Sequence, residues 1–456
     1  MNTKGPLHGL RVLEMGQLIA IPSAMKMLSD MGAEVIRVES SHRLESYRNA
    51  SLYENNTTGE FWNRGANFYE QNRNKLGLTL DLSQPEGLDI LKELISISDV
   101  FAENFTPRVM HSFGITYEDL KKIKPDIIMV SSTGYGFDGP WANFGATGPA
   151  TESASGMAIM TGYKNDMPIM PEIPYIDYTA AEHTVFAILS ALIYKRRTGK
   201  GQFIDVSQTE TSTATVPAAI LDYVVNGRIE PRHGNEDPIM APHGCYPCKG
   251  TDKWITIAIQ SDWEWSNLST ELKLSNEITC NPNFSDMLKR WEHREQLNQI
   301  ISAHTSTRDN KELMHALQSV GVAAGIVMES PDLLFDAHLK ERAFYEIVSH
   351  HPSTKMPPLP YASRPWKFSE TPAVAPIAAP IMGQHNSFIL KELLGKSDDD
   401  MKNLEKKAVI GYSPSQGTPI RAPDPNEQLR QGRMQRYESD FRSKISTFYG
   451  ISEEPL

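Results

Sequence analysis

Through Tyr135 the chain alternates between short apolar runs and apolar positions at helical spacing. "LRVLEM" (Leu10–Met15) reads as a buried strand. In "SAMKMLSDMGAE", Met27, Leu28 and Met31 share a helical face, and Gly32 supplies a stop. "EVIRVES" (Glu34–Ser40) predicts a second strand, and "LGLTLDL" alternates as a third. "QPEGLDILKELISIS" predicts a helix with Pro85 in its first turn and Leu88, Leu91 and Ile95 inward. "DVFAEN" and "DIIMVSSTGY" predict further strands, joined by the short helix "YEDLKKIKP". Repeated β-α-β units imply a parallel sheet covered by helices, and such sheets bind ligands at the carboxyl ends of their strands.

Tyr178–Lys195 predicts a helix with an almost unbroken apolar face, a core helix. Its longest apolar stretch, Thr184 to Tyr194, is about half of the ~20 residues a membrane span requires. "RRTGKGQ" is a basic turn, "FIDVSQ" a strand, and about Thr209 to Val225 another helix. At Gly227 the character changes: "GRIEPRHGNEDPIMAPHG" reads as a linker. "WITIAI" predicts a strand, and Asp262 to Ala323 is largely helical and polar, a smaller second domain. From His350 the chain is Pro-rich and extended. "NSFILKELLG" then predicts a final helix before a charged tail, whose apolar periodicity returns only in "FRSKISTFYG". The expected divisions are 1–226, a large domain; 227–350, a small domain with linkers; and 351–456, a segment with the tail.

Composition narrows the function classes. The 456 residues are 40% hydrophobic and 22% charged, with net charge −11. That excess of acid excludes a general affinity for nucleic acid or anionic membranes, while leaving room for a local basic pocket. There are three cysteines. Cys245 and Cys248 form CYPC, with no second pair to complete a zinc site, and the pair is expected just before a strand rather than at a helix start. Reduced thiols in a cytoplasmic protein are the simplest account, and "MNTKGPLHGLRV" has no apolar signal core. A soluble, cytoplasmic protein is therefore expected.

The turn after the first strand, "GQLIAIP", lacks G-x-G-x-x-G, and no P-loop pattern occurs, which weighs against dinucleotide and nucleotide-hydrolase chemistry. Arg37, Arg43, Arg73, Lys75 and Arg108 cluster near predicted strand ends, either as a solvated rim or as partners for phosphate. Asp177 follows an apolar-aromatic strip and opens the long helix. It reads as an N-cap or as a nucleophile able to attack an activated acyl group and form a mixed anhydride. Glu103, Glu152 and Glu182 are equally placed by spacing alone. His183 lies within the apolar helix, as a core histidine would. Gly134 and Gly136 give a flexible loop whose amides could hold an oxyanion or merely turn the chain.

Five stretches together resemble the class III coenzyme A transferases, the CaiB/BaiF family that includes formyl-CoA transferase and carnitine CoA-transferase. They are "GLRVLEMGQLIAIPSAMKMLSDMGAEVIRVES", "NRNKLGLTLDLSQPEG", "SDVFAENFTPRVMHSFGITYEDLKKIKPDIIMVSSTGYGFDGP", "PEIPYIDYTAAEHTVFAILSALIYKRRTGKGQFIDVS" and "PLPYASRPWKFSETP". The likeness is good from Gly9 to Ser207 and looser to Leu394. It implies a Rossmann-like parallel-sheet large domain, a smaller α+β domain, a C-terminal segment returning to the large domain, and an interlocked, ring-like homodimer. It implies acyl-CoA and carboxylic acid substrates, with no permanently bound cofactor and no metal. The family's catalytic aspartate falls on Asp177. Coenzyme-contacting positions fall on Leu18, Ile19, Ala20, Asn72, Lys75, Asn104, Phe105, Thr133 and Gly134. Two family arginines are replaced by Ser40 and Ser112; Arg37 and Arg43, and Arg108, are the neighbours expected to substitute.

Two branches of the resemblance are disfavoured. The racemases need a histidine where this chain has Thr147, and proton abstraction needs a titratable base. The oxalate-using enzymes carry a glycine run that "HGNEDPIMAPHGCYPC" lacks. A non-catalytic CoA-binding protein is the remaining alternative, weighed down by the presence of Asp177.

Overall fold

The computed structural model describes residues 4–171, 173–420 and 424–455. These residues form two compact units, one of Met1–Ser155, Pro171–Pro217 and Ala337–Leu456, the other of Gly156–Met170 and Ala218–Asp336. The units divide at Pro217 and Ala337 rather than at 226 and 350, and the short excursion 156–170 joins the smaller one.

The larger unit is built on six parallel strands: β1 (Arg11–Met15), β2 (Glu34–Glu39), β3 (Leu76–Thr79), β4 (Val100–Glu103), β5 (Ile128–Thr133) and β6 (Phe203–Ser207). Their order is β3-β2-β1-β4-β5-β6. The chain starts at the centre, winds outward to β3, then crosses back to β4, so β1 and β4 flank the point where winding reverses.

Adjacent strand residues serve opposite faces. Leu13, Ile36, Phe101 and Met129 pack with α3 (Pro85–Ser96) through Ile90, Leu91, Leu94 and Ile95. Val12, Val35, Val100 and Ile128 pack with α1 (Ala20–Asp30) and α7 (Tyr175–Thr198). Both faces are covered, which is why these strands read as near-continuous apolar runs. The remaining helices used below are α2 (Ala66–Asn72), α4 (Pro107–Phe113), α5 (Tyr117–Ile123), α6 (Gly148–Ala154) and α8 (Gln208–Thr213).

Helix α7 departs from expectation in two ways. It starts at Tyr175, so Asp177 is in its first turn and is not the N-cap, a place held by Pro174. It is also longer and only half a core helix. Ile176, Ala180, Thr184, Ile188 and Ala191 form its buried stripe, while Phe186, Leu189 and Ile193 are exposed. Among the described residues it is the one helix apolar and long enough to cross a membrane by composition. Its buried stripe is instead taken up by α1 and the sheet.

The helix expected over 209–225 is broken into α8 and Pro217–Asn226, because proline disfavours helical geometry in the residue before it. "NSFILKELLG" is not the final helix: Asp398–Lys406, Pro425–Arg430 and Phe441–Tyr449 follow.

The C-terminal segment closes the edge strand β3. The side-chain Oδ1 of Asn386 accepts the Thr79 amide at 2.9 Å, and its Nδ2 donates to Thr79 Oγ1 at 2.9 Å. The Gly77 amide donates to His385 Nδ1 at 3.0 Å. Ile389, Leu390, Met401 and Leu404 complete the apolar layer beneath. An edge strand otherwise exposes unpaired amides, and here loop side chains take them.

The smaller unit is α+β: an antiparallel sheet of β7 (His243–Pro247), β8 (Trp254–Ala258) and β9 (Ala323–Ile326), with Ile255 and Ile257 packed on Trp265, Leu268, Leu297, Ile301, Leu313 and Leu317. The CYPC pair precedes β8 as expected, and Cys245 also lies within β7, a strand the sequence reading did not name. Both are free thiols, and burial raises the pKa of each.

Asn386 is fully buried, so Asn386→Ala strands the Thr79 amide without a partner. It should destabilise the protein by about 1–3 kcal/mol, read by urea unfolding. An unchanged midpoint would show that the C-terminal segment does not hold β3.

Candidate active site

The site begins where the sheet winding reverses. Gln17 and Leu18 follow β1, and Asn104 and Phe105 follow β4. Asn104 ties the two turns together: its Oδ1 accepts the Gln17 amide at 2.8 Å and its Nδ2 donates to the Gln17 carbonyl at 2.9 Å. Leu18 is held in the left-handed region, at φ 61°, and is half exposed. A leucine there carries a cost of about 1–2 kcal/mol, so the surroundings must impose it. They do so through Glu45, whose Oε1 accepts the Leu18 amide at 2.8 Å.

Glu45 belongs to a buried charge network. Arg37 donates to Glu45 through Nη2 and to Glu14 Oε1 through Nη1 at 2.6 Å. Lys75 Nζ lies 2.7 Å from Glu14 Oε2 and donates to the Pro22 carbonyl and to Asn72 Oδ1. Glu14, Arg37 and Lys75 are at most 3% exposed. Beside them Arg48 grips Glu39 in a two-pronged pair at 2.6 and 2.8 Å and stacks on Phe68. Burying ions is costly unless each is paired, and here every charge has an opposite.

This geometry revises the roles available to the sequence-selected cations. Arg37 and Lys75 are closed off by carboxylates, so a coenzyme phosphate would have to compete with Glu14 for either. Asn72 is wholly buried and holds Lys75. Arg43 and Arg108 are exposed, and among the described residues neither has a salt bridge.

A crevice of about 360 Å³ opens above the network, at the carboxyl ends of β1 to β4. Gly16, Val38, Leu80, Phe105 and Phe113 give it apolar walls, and Arg43 stands at its lining as the cation without a carboxylate partner. Ser40 lines it and accepts the amides of His42 and Arg43. Arg108 and Ser112 are not part of the lining. Such a crevice suits a flat apolar group flanked by anionic groups.

Ile19 and Ala20 lead from the same loop into α1, and Ala20 starts that helix. Here the loop meets Asp177. Burial pushes the Asp177 carboxyl up to about 6; the Ala20 backbone amide, facing it, opposes the shift, and the charge of Glu152 adds to it. Gly148 lies on the other side, where a Cβ would sit 3.5 Å from Asp177 Oδ2. Among the described residues no salt bridge reaches Asp177, which leaves the carboxylate without a paired cation under the positive end of α1. Thr133 ends β5 and Gly134 follows it; the Gly134 carbonyl is pinned by the amide and hydroxyl of Thr209, at 3.0 and 2.8 Å.

Sequence reasoning missed Glu14 and Glu45, which look like ordinary polar residues of a strand and a loop. A glutamate inside an otherwise apolar buried strand was the available signal for Glu14. Glu103 was noticed but not chosen. It is fully buried, accepts from Ser131 Oγ and from the Phe105 amide, and burial pushes it up to about 7. His183 points its Nδ1 to the Thr179 carbonyl at 2.8 Å.

The sequence model of CoA-transferase family III matches residues 7–386. The chain belongs to that family. It is 30% identical over 405 residues to a succinyl-CoA–D-citramalate CoA-transferase of Chloroflexus aurantiacus, covering 89% of this chain and 98% of that one. It is 29% identical to a succinate–glutarate CoA-transferase of Agrobacterium fabrum, covering 86% and 96%, and 28% identical to a human succinyl-CoA:glutarate CoA-transferase, covering 90% and 91%. Among solved structures it is similar to a CAIB/BAIF family protein from Brucella suis, with TM-score 0.78, 28% identity, and coverage of 86% of this chain and 100% of that one. The protein is thus a CoA-transferase, and its substrates are CoA thioesters and carboxylic acids.

Because the folded state raises the Asp177 pKa above the usual 3.8, the unfolded chain ionises first, and stability falls as pH rises from about 4 to about 6. Asp177→Asn removes that penalty. At pH 8 it should be more stable than wild type by about 1–3 kcal/mol, with little difference at pH 4, as read by chemical denaturation at both values. A variant no more stable at pH 8 would mean the carboxylate is not held under electrostatic strain.

Proposed function

We propose that the enzyme moves CoA from an acyl-CoA to a free carboxylic acid through acyl intermediates on Asp177. The observation that carries this reading is a partly buried carboxylate with no counter-ion among the described residues, beside the first amide of α1 and the loop that follows β1. The coenzyme's adenine end fits the apolar crevice, with Arg43 near its phosphates, and Leu18, Ile19 and Ala20 guide the pantetheine arm toward Asp177.

Asp177 attacks the thioester carbonyl carbon; the C–S bond breaks and its electron pair leaves with CoA as thiolate, giving a mixed anhydride. The thiolate attacks the aspartyl carbonyl and releases the donor acid as carboxylate, leaving an aspartyl-CoA thioester. The acceptor carboxylate attacks that carbonyl, expelling the thiolate and forming a second anhydride. The thiolate then attacks the acceptor's acyl carbon, which yields the new thioester and restores Asp177. The Ala20 amide is placed to stabilise oxyanion character at the aspartyl group. The relatives' names point to succinyl-CoA as donor and a dicarboxylic acid as acceptor, and these are the first pair to assay. Three free cysteines fit a reducing compartment such as the cytoplasm.

Incubation with succinyl-CoA should leave a mass adduct on the Asp177 peptide, absent in Asp177→Ala. Transfer by that variant should fall at least about 10³-fold, and wild-type kcat/KM should decline as pH drops through about 6. Full transfer by Asp177→Ala would end the reading.

We also infer a homodimer. Phe186, Leu189 and Ile193 make an exposed apolar stripe at spacing i, i+3, i+7 along α7, and a second copy is the occupant the family resemblance implies. Light scattering should give twice the chain mass of 51.1 kDa, and Phe186→Asp with Ile193→Asp should shift it toward monomer. A monomeric wild type would refute this.

A further inference from the structure

The crevice at the carboxyl ends of β1 to β4 has a rim made of two loops. The loop after β2 supplies Ser40, His42, Arg43 and Glu45 to its lining, and the loop after β3 supplies Leu80 and Asp81. Both are tied to one late stretch of chain, 408–420, which lies beyond the residues 7–386 matched by the family model.

The ties are backbone and side-chain hydrogen bonds. The Val409 carbonyl accepts the Asp81 amide at 2.8 Å, and the Gly411 carbonyl accepts the Thr79 hydroxyl at 2.7 Å. On the other loop the Ser415 amide donates to the Ser41 carbonyl at 2.9 Å, and the Ile420 amide to the Asn49 carbonyl at 2.7 Å. His42 braces the two chains. Its Nε2 lies 3.0 Å from the Ala408 carbonyl, so that nitrogen is the donor; its Nδ1 lies 3.1 Å from Ser415 Oγ and accepts from it.

Two glycines permit the close approach. A Cβ on Gly411 would stand 3.1 Å from Ser41 Oγ. A Cβ on Gly417 would stand 2.9 Å from Leu44 Cδ2, and the φ of 145° at Gly417 is one that residues with side chains rarely adopt. The residues held in this way, Ser41, His42 and Leu44, flank Arg43 on both sides. Arg43 is exposed and, among the described residues, has no salt bridge, so the placing of its guanidinium depends on its backbone. A loop that must order itself around a ligand gives up entropy on binding, and bonds made beforehand remove that cost.

We propose that Ser415 and Gly417 are positioning residues for the coenzyme. Neither lines the crevice. Through the 408–420 strap they hold the Arg43 loop in its binding shape, and so set affinity for the CoA moiety while leaving the acyl chemistry at Asp177 untouched.

The inference rests on the crevice as the site of the coenzyme's adenine end, and the experiment separates the two. Calorimetry with free CoA gives Kd, and steady-state assays with succinyl-CoA give KM and kcat. Gly417→Val drives a side chain into Leu44 and should raise Kd and KM about fivefold or more, with kcat within about twofold of wild type. Ser415→Ala keeps the backbone bonds and removes one tie to His42, so it should raise both about twofold; it carries the test if thermal melts show Gly417→Val unfolded. Arg43→Ala should also weaken CoA binding, and Gly417→Val should add little to it, because both act through the same side chain. Wild-type CoA affinity in Ser415→Ala or in folded Gly417→Val, a fall in kcat that matches the rise in KM, or full additivity with Arg43→Ala overturns the strap, while weakened binding by Arg43→Ala leaves the crevice reading standing. Wild-type affinity in Arg43→Ala overturns the crevice reading and the strap with it.

Discussion

The site depends on a set of charges that never meets solvent. Glu14 sits inside the central strand and is shared by Arg37 from β2 and Lys75 from the turn before β3. Glu45 takes the other side of Arg37 and, with its second oxygen, the amide of Leu18. Ions this deep are tolerated only because each is answered, and removing one member leaves its partners uncompensated. The result is a rigid floor under the loop after β1. That floor imposes the left-handed Leu18, and through it sets where the Ala20 amide meets the Asp177 carboxyl.

The Asp177 carboxyl, the proposed nucleophile, is subject to opposed effects. Burial disfavours its charge, whereas the first amide of α1 favours it. A carboxylate stabilised by a salt bridge would be a poor nucleophile, and one fully desolvated would be protonated at neutral pH. Placement in the first turn of α7, rather than at the N-cap, matters here: a cap carboxylate would be occupied by its own helix. The free energy lost in holding Asp177 and Leu18 in unfavourable states is offset by the apolar layers on both faces of the sheet, where side chains from α1, α3 and α7 interdigitate.

Much of this was legible in the residues. The short apolar runs in "RVLEM" and "DIIMVSST" and the helical spacing of "GLDILKELIS" located strands and helices to within one or two residues. The β-α-β rhythm led to a parallel sheet, and the sheet rule to its carboxyl edge. The motifs around Asp177 singled out one acid among several. Less legible was the fate of α7: its uniformly apolar surface hid the fact that one stripe packs on the sheet while Phe186 and Ile193 face outward. Composition alone does not say which side of such a helix finds a neighbour.

The sequence by itself determined the order of elements, the apolar layers and the residue types available for acyl chemistry, because these follow from local periodicity and side-chain identity. Only the tertiary structure decided which charges are spent on one another. Arg37 and Lys75 look like phosphate ligands until Glu14, distant in sequence from Lys75, is brought beside them in the core. Arg43 is left as the crevice cation for the same reason, since no carboxylate among the described residues forms a salt bridge with it. Pairing of charges depends on which strands become neighbours, and that is fixed by the winding of the whole sheet rather than by any stretch of chain.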